Sequence, residues 1–179
     1  MKLLKTIRLN WPDDALNDTR SWGEGEWQKE PGMNSMLVFE HEGFTCVARR
    51  NLMGSWCGYV GIPKDIAQPK DGWDFIDVHG GITFKSDFLA GIENENLYWI
   101  GFDCSHLDDI MPKHTPLMKV IEDQKDEGSL ALKKVVTELN KIKGGSKIMG
   151  TLSAATYKSL KFVKGELKRM IKQIKELPK

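Results

Sequence analysis

A disulfide framework is the first thing this chain lacks. Its three cysteines, Cys46, Cys57 and Cys104, are an odd number in 179 residues. Too few to staple a fold, they read as free thiols or ligands. Long apolar runs are missing as well. None approaches the ~20 residues that span a bilayer, so no membrane segment is expected. The stretch from Met1 to Trp11 is too interrupted for a signal peptide, which gives a cytoplasmic protein as the expectation. Histidine is scarce, with four in the chain. Arginine almost vanishes from the last third, where Arg169 stands alone after residue 128. Aromatic residues do not interleave with the lysines there as base-stacking platforms would. Nucleic-acid contact is therefore the weaker reading of that basic segment, and a solvated lysine face the stronger.

The net charge of +1 conceals an asymmetry. Residues 1–128 carry 13 Lys/Arg against 22 Asp/Glu, a balance of −9, and residues 129–179 carry 13 against 3, a balance of +10. Opposite fields of this size favour docking of the basic segment on the acidic body. Hydrophobic content of 40% supplies an ordinary core, and the length suits one domain over 1–179.

Strand signals fill residues 1–112. Met36 to Glu40 and Phe44 to Arg50 flank a tight His41-Glu42-Gly43 turn, a hairpin. Trp56 to Ile62 is a third strand, stopped by Pro63. Phe75 to Val78, then Ile82 to Phe84, and Leu97 to Phe102 complete the set. Residues 1–26 show no clear period. From 113 onward the period becomes helical, with helices from Pro116 to about Asp126, over Ser129 to Lys143, and over about 153–177, where Ser153 is the expected cap. In the last, Leu160, Val163, Leu167, Met170, Ile174 and Leu177 form one apolar face. Gly165 costs that helix roughly 1 kcal/mol relative to alanine unless close packing near Glu166 offsets it. Strands followed by helices predict an α+β fold, a mainly antiparallel sheet with C-terminal helices on one face. A homo-oligomer that buries the apolar helix face is compatible with this pattern.

Reactive side chains gather at strand ends. The run Trp99-Ile100-Gly101-Phe102 ends in Asp103-Cys104-Ser105-His106-Leu107-Asp108-Asp109. His79 precedes Gly80-Gly81-Ile82-Thr83. Histidine is the side chain suited to exchange protons near neutral pH, so His79 and His106 are the candidate acid and base. Asp103 or Asp109 would orient one of them, and Glu166 would reach the same cleft from the last helix. The Gly80-Gly81 amides, Thr83 and Arg50 would hold a small anionic ligand, although a salt bridge is the plainer role for Arg50. Trp56, Tyr59 and Trp99 would stack a ligand, with Cys57 beside Tyr59. Cys104 is either a nucleophile activated by His106 or a small buried hydrophobe, and the second reading is preferred. Zinc through Cys57, His79, Cys104 and His106 is not favoured, because no C-x₂₋₄-C pair exists. A catalytic divalent ion held by His79, Asp103, His106 and Asp109 is not favoured either.

Taken in order, these pieces resemble a family of small proteins encoded by tailed bacteriophages and prophages. The matching residues are Trp27 with Glu30-Pro31, Thr45-Cys46-Val47 with Arg50, Cys57-Gly58-Tyr59-Val60-Gly61 with Pro63, His79-Gly80-Gly81-Ile82-Thr83, Gly101-Phe102-Asp103-Cys104-x-His106-x-x-Asp109, and Phe162-Val163-x-x-Glu166. The resemblance implies a phage protein at work in the bacterial cytoplasm, with counter-defence as a setting, and supplies no activity. The residues themselves point to a small hydrolase of a phosphoester or nucleotide-type ligand, and the phage resemblance implies cyclic nucleotide signals as one such ligand. The alternatives are a module that sequesters such a ligand without turnover and a structural or regulatory phage protein.

Overall fold

A computed structural model describes residues 1–10, 18–66, 72–114 and 155–177. The helices expected between Pro116 and Lys143, and the Ser153 cap, lie outside the described residues. The architecture is α+β. Six antiparallel strands, β1 (Lys2–Arg8), β2 (Ser35–His41), β3 (Phe44–Arg50), β4 (Trp56–Pro63), β5 (Phe84–Ser86) and β6 (Leu97–Asp103), form one sheet in the order β1-β2-β3-β4-β6-β5. The helix α1 (Leu160–Lys175) packs against β4 and β3. Among the described residues, no helix is long and apolar enough to cross a membrane.

The period-2 pattern of a strand sorts side chains between the two faces. Leu37, Phe39, Cys46, Trp56, Val60, Ile100, Phe102 and Cys104 point to the helix side. Met36, Val38, Val47, Cys57, Tyr59 and Trp99 point to the other. Both faces of β4 are covered, and all but its last residue are buried. Gly58 is what lets the layers close. A Cβ there would sit 2.6 Å from the Phe102 ring and 3.1 Å from Val163 of α1. The β2–β3 hairpin turns on Glu42 and Gly43, both at positive φ (50° and 87°), the two-residue turn that matches strand twist.

Three expectations change. The first strand, β1, is exposed along nearly its whole length and so carries no burial period to read. The last helix begins at Leu160 with Ser159 as its cap, where the Ser159 hydroxyl accepts from the Phe162 amide at 3.4 Å. Its Gly165 faces open space, so no close packing offsets its cost. Phe75 to Val78 is not a strand. Ile76 and Val78 do bury their side chains, but the backbone finds helix side chains as partners. Gln173 accepts from the Asp77 amide and donates to the Asp77 carbonyl, both at 2.8 Å. A primary amide side chain has the donor and acceptor of a peptide group, so it replaces a neighbouring strand. Opposite charges also meet across the fold, Lys175 with Glu42 and Arg169 with Asp77.

Candidate functional site

The chain from Val78 to Gly81 makes a tight turn in which the Gly81 amide donates to the Val78 carbonyl at 2.9 Å. Gly80 and Gly81 take positive φ, 69° and 81°. The His79 amide donates to Glu166 Oε2 at 2.7 Å, which ties the turn to α1. Gly80 is required for a second reason. A Cβ on it would lie 1.9 Å from Cε1 of His106. The bare glycine lets the His106 ring close on the turn, with its centroid 5.1 Å from that of His79 and the planes at 86°. Phe162 of α1 packs edge-on against His79 at 5.3 Å.

Beyond β6 the chain folds back so that the Asp109 amide donates to the His106 carbonyl and the His106 amide donates to Asp109 Oδ2, each at 3.0 Å. The Asp109 side chain has no solvent exposure. His79 Nε2 lies 2.8 Å from Oδ2 and 3.0 Å from Oδ1. His106 Nδ1 lies 3.2 Å from Oδ2. Lys158 Nζ stands 3.5 Å from Oδ1 and donates to the Thr156 hydroxyl at 2.6 Å. Burial favours the neutral acid at Asp109. The hydrogen bonds from His79 and from the His106 amide outweigh it and hold the carboxyl below its ordinary range.

An ionised carboxylate only accepts hydrogen bonds. His79 Nε2 and His106 Nδ1 are therefore the donors, and the tautomers follow. Neutral imidazoles so held each keep one unprotonated outer nitrogen, Nδ1 of His79 and Nε2 of His106, the latter lying against Gly80. Neither has a hydrogen-bond partner among the described residues. The histidine side chains are 15% and 30% exposed, so the centre opens at the surface mainly through His106. Two clefts, of about 400 and 220 Å³, have neither histidine in their lining.

The other expected residues divide. Glu166 is brought to the centre, where it holds the His79 backbone and pairs with Arg169 at 2.8 Å. Asp103 is not the orienting acid. It belongs to the opposite sheet face, accepting from the Thr83 hydroxyl at 2.9 Å and the Ser105 amide at 3.0 Å, and Asp109 takes the orienting role. Thr83 goes with it. The Gly81 amide is engaged within its own turn and is not left for an anion. Arg50 lines the smaller cleft with Cys57 and Tyr59, away from both histidines, and its side chain is fully buried. Its Nε donates to the Pro31 carbonyl at 2.8 Å, its Nη1 to the Gly54 carbonyl, and its Nη2 to Glu30 and to the Tyr157 hydroxyl, both at 3.0 Å.

Trp56 is buried under that guanidinium, 4.3 Å from it, and Tyr59 and Trp99 are buried on the opposite face, so the three make no common stacking surface. Burial pushes the Cys57 thiol up to about 11 and the Tyr59 hydroxyl up to about 12. Burial, reinforced by the negative charge of Asp109, raises Cys104 too, which makes it a packed neighbour and a poor nucleophile. Cys57 and Cys104 point to opposite faces, so the four-ligand Cys/His zinc set does not assemble. Among the described residues, one group, His79, His106 and Asp109, brings three metal-ligating atoms within 4.8 Å of one another.

Residues that sequence reasoning passed over complete the picture. Glu30 Oε2 accepts from Arg50, from Trp56 Nε1 at 2.7 Å and from the Tyr157 hydroxyl, while Oε1 accepts from the Leu160 amide at 2.8 Å. Glu30-Pro31 stood in the matching pattern but gave no hint of a role. Tyr157 and Lys158 lay in a stretch read as helix. The chain matches no family model, no curated protein and no solved structure in comparisons with each.

Proposed function

We propose that the chain is a small hydrolase of a phosphoester or nucleotide-type ligand, with His79 and His106 exchanging protons and Asp109 fixing both rings. The observation that supports this reading is the single buried carboxylate shared by two imidazoles, each with an outer nitrogen that has no hydrogen-bond partner among the described residues. One bare nitrogen takes the proton of the attacking water or hydroxyl. The other ring, when protonated, donates to the leaving oxygen. Charge favours an anionic ligand. Asp109 and Lys158 offset each other, so one protonated histidine leaves the centre positive. The resemblance to phage proteins supplies the setting, a bacterial cytoplasm where nucleotide signals act as defence messengers.

The test is a panel of linear and cyclic nucleotides incubated with the protein in chelator-treated buffer. Turnover that falls by roughly 10²-fold or more in His79→Ala and in His106→Ala is the expected result. Recovery of intact bound ligand identifies a sequestering protein instead, and neither binding nor turnover removes this reading.

A further inference from the structure

We propose that His79, His106 and Asp109 also form a binding site for one divalent transition-metal ion of the zinc class. His79 Nε2 and His106 Nδ1 converge on the same oxygen, Asp109 Oδ2, at 2.8 and 3.2 Å. Bonds of about 2.0–2.1 Å to a tetrahedral zinc place neighbouring ligand atoms about 3.4 Å apart. The two nitrogens therefore need to draw back from Oδ2 by at most about 0.6 Å, and, lying within 4.8 Å of each other, to come to the same spacing from one another. It is also held in place before any ion arrives. Oδ2 is pinned by the His106 amide at 3.0 Å. The His79 ring is wedged between Phe162 and His106. The His106 ring rests on a glycine that admits no side chain. Three protein ligands leave a fourth position for water or a ligand group, the arrangement of an open zinc site.

Ligand chemistry selects the ion. Two imidazoles and one carboxylate suit zinc, cobalt, nickel or copper, whereas magnesium and calcium want a shell of oxygens. Lys158 acts against any cation. Its ammonium lies 3.5 Å from the second carboxylate oxygen, so removing its charge should tighten binding.

The ion needs lone pairs on the nitrogens that now donate to Asp109. Their protons must pass to the outer nitrogens or to solvent, so the metal-bound and proton-exchanging states exclude each other. Zinc should then inhibit the centre. That consequence rests on the hydrolase reading, whereas the binding itself does not.

Titration of the reduced, metal-stripped protein with Co²⁺ tests the site directly. One equivalent should bind with a visible d–d spectrum and no thiolate charge-transfer band, and Zn²⁺ should displace it while Mg²⁺ does not. Affinity should fall at least tenfold in His106→Ala and in Asp109→Asn, stay unchanged in His41→Ala, and rise several-fold in Lys158→Gln. His106 is partly exposed, so His106→Ala carries the test if Asp109→Asn does not fold. No stoichiometric uptake by the wild type overturns the proposal, as does undiminished affinity in His106→Ala. Both readouts stand whether or not any nucleotide is hydrolysed. Turnover that persists at saturating zinc would refute the inhibition while leaving the binding intact.

Discussion

Glu30 and Asp109 each collect several hydrogen-bond donors on one carboxylate, and the two collections differ in what they leave over. Around Glu30 the guanidinium of Arg50, the indole of Trp56, the hydroxyl of Tyr157 and the first amide of α1 all find acceptors. Arg50 is fully buried and also donates to two carbonyls, so each of its three nitrogens has a partner. Around Asp109 the inner nitrogens of His79 and His106 are engaged, and the outer ones have no partner among the described residues. Burial does not account for the difference, because Asp109, at the open hub, is the more buried acid, with no side-chain exposure against 16% for Glu30. A cluster whose every polar atom is matched holds a fold together, and one that keeps lone pairs in reserve can act on something else.

Breaking the closed cluster should have the largest effect. Glu30→Ala leaves Arg50 charged and unmatched in the interior, a loss of about 3–5 kcal/mol, read from the shift of the urea midpoint. A loss below ~1 kcal/mol would mean that Arg50 finds water and that the closed cluster is not closed.

Gly80→Ala sharpens the contrast from the other side. It forces a Cβ into the His106 ring and a side chain into a positive φ. About 1–3 kcal/mol of stability should go, and the histidine resonances of residues 79 and 106 should shift in NMR spectra while the Trp56 indole signal holds. Movement of both sets together would show one cluster where two are described.

The smallest effect is electrostatic. Asp109 is held below its ordinary range in the folded protein, so it contributes stability above the unfolded carboxylate value of about 3.9. That contribution is lost as pH falls through its lowered folded value. Wild type should therefore exceed Asp109→Asn in stability at pH 6, with the gap closing as pH falls below the unfolded carboxylate value of about 3.9 in parallel urea titrations. A gap that widens on acidification would contradict the sign.

Much of the sheet could be read directly. β2, β3, β4 and β6 announce themselves through alternation and turn residues, and the face of α1 through its three- and four-residue spacing. What escaped has physical causes. β1 buries almost nothing, so it lacks a pattern. Ile76 and Val78 alternate as strand residues do, but the Asp77 backbone between them pairs with Gln173, 96 positions away. Histidines 79 and 106 were legible as a pair because each follows a strand-like run. Their orienting acid was not settled, since Asp103 and Asp109 are equally near in sequence and only the turn after β6 chooses between them. The partnership of Glu30 with Tyr157 spans 127 residues, and no local signal reports it.

Tyr157 and Lys158 are consecutive, yet one reaches Glu30 and the other Asp109. The backbone between the two clusters is also clamped, since Thr156 exchanges hydrogen bonds with Asp108 and Ile110. The short segment before α1 therefore works as a bolt with an acid at each end, and the Thr156 clamp at its root lets each cluster be disturbed without loosening the other.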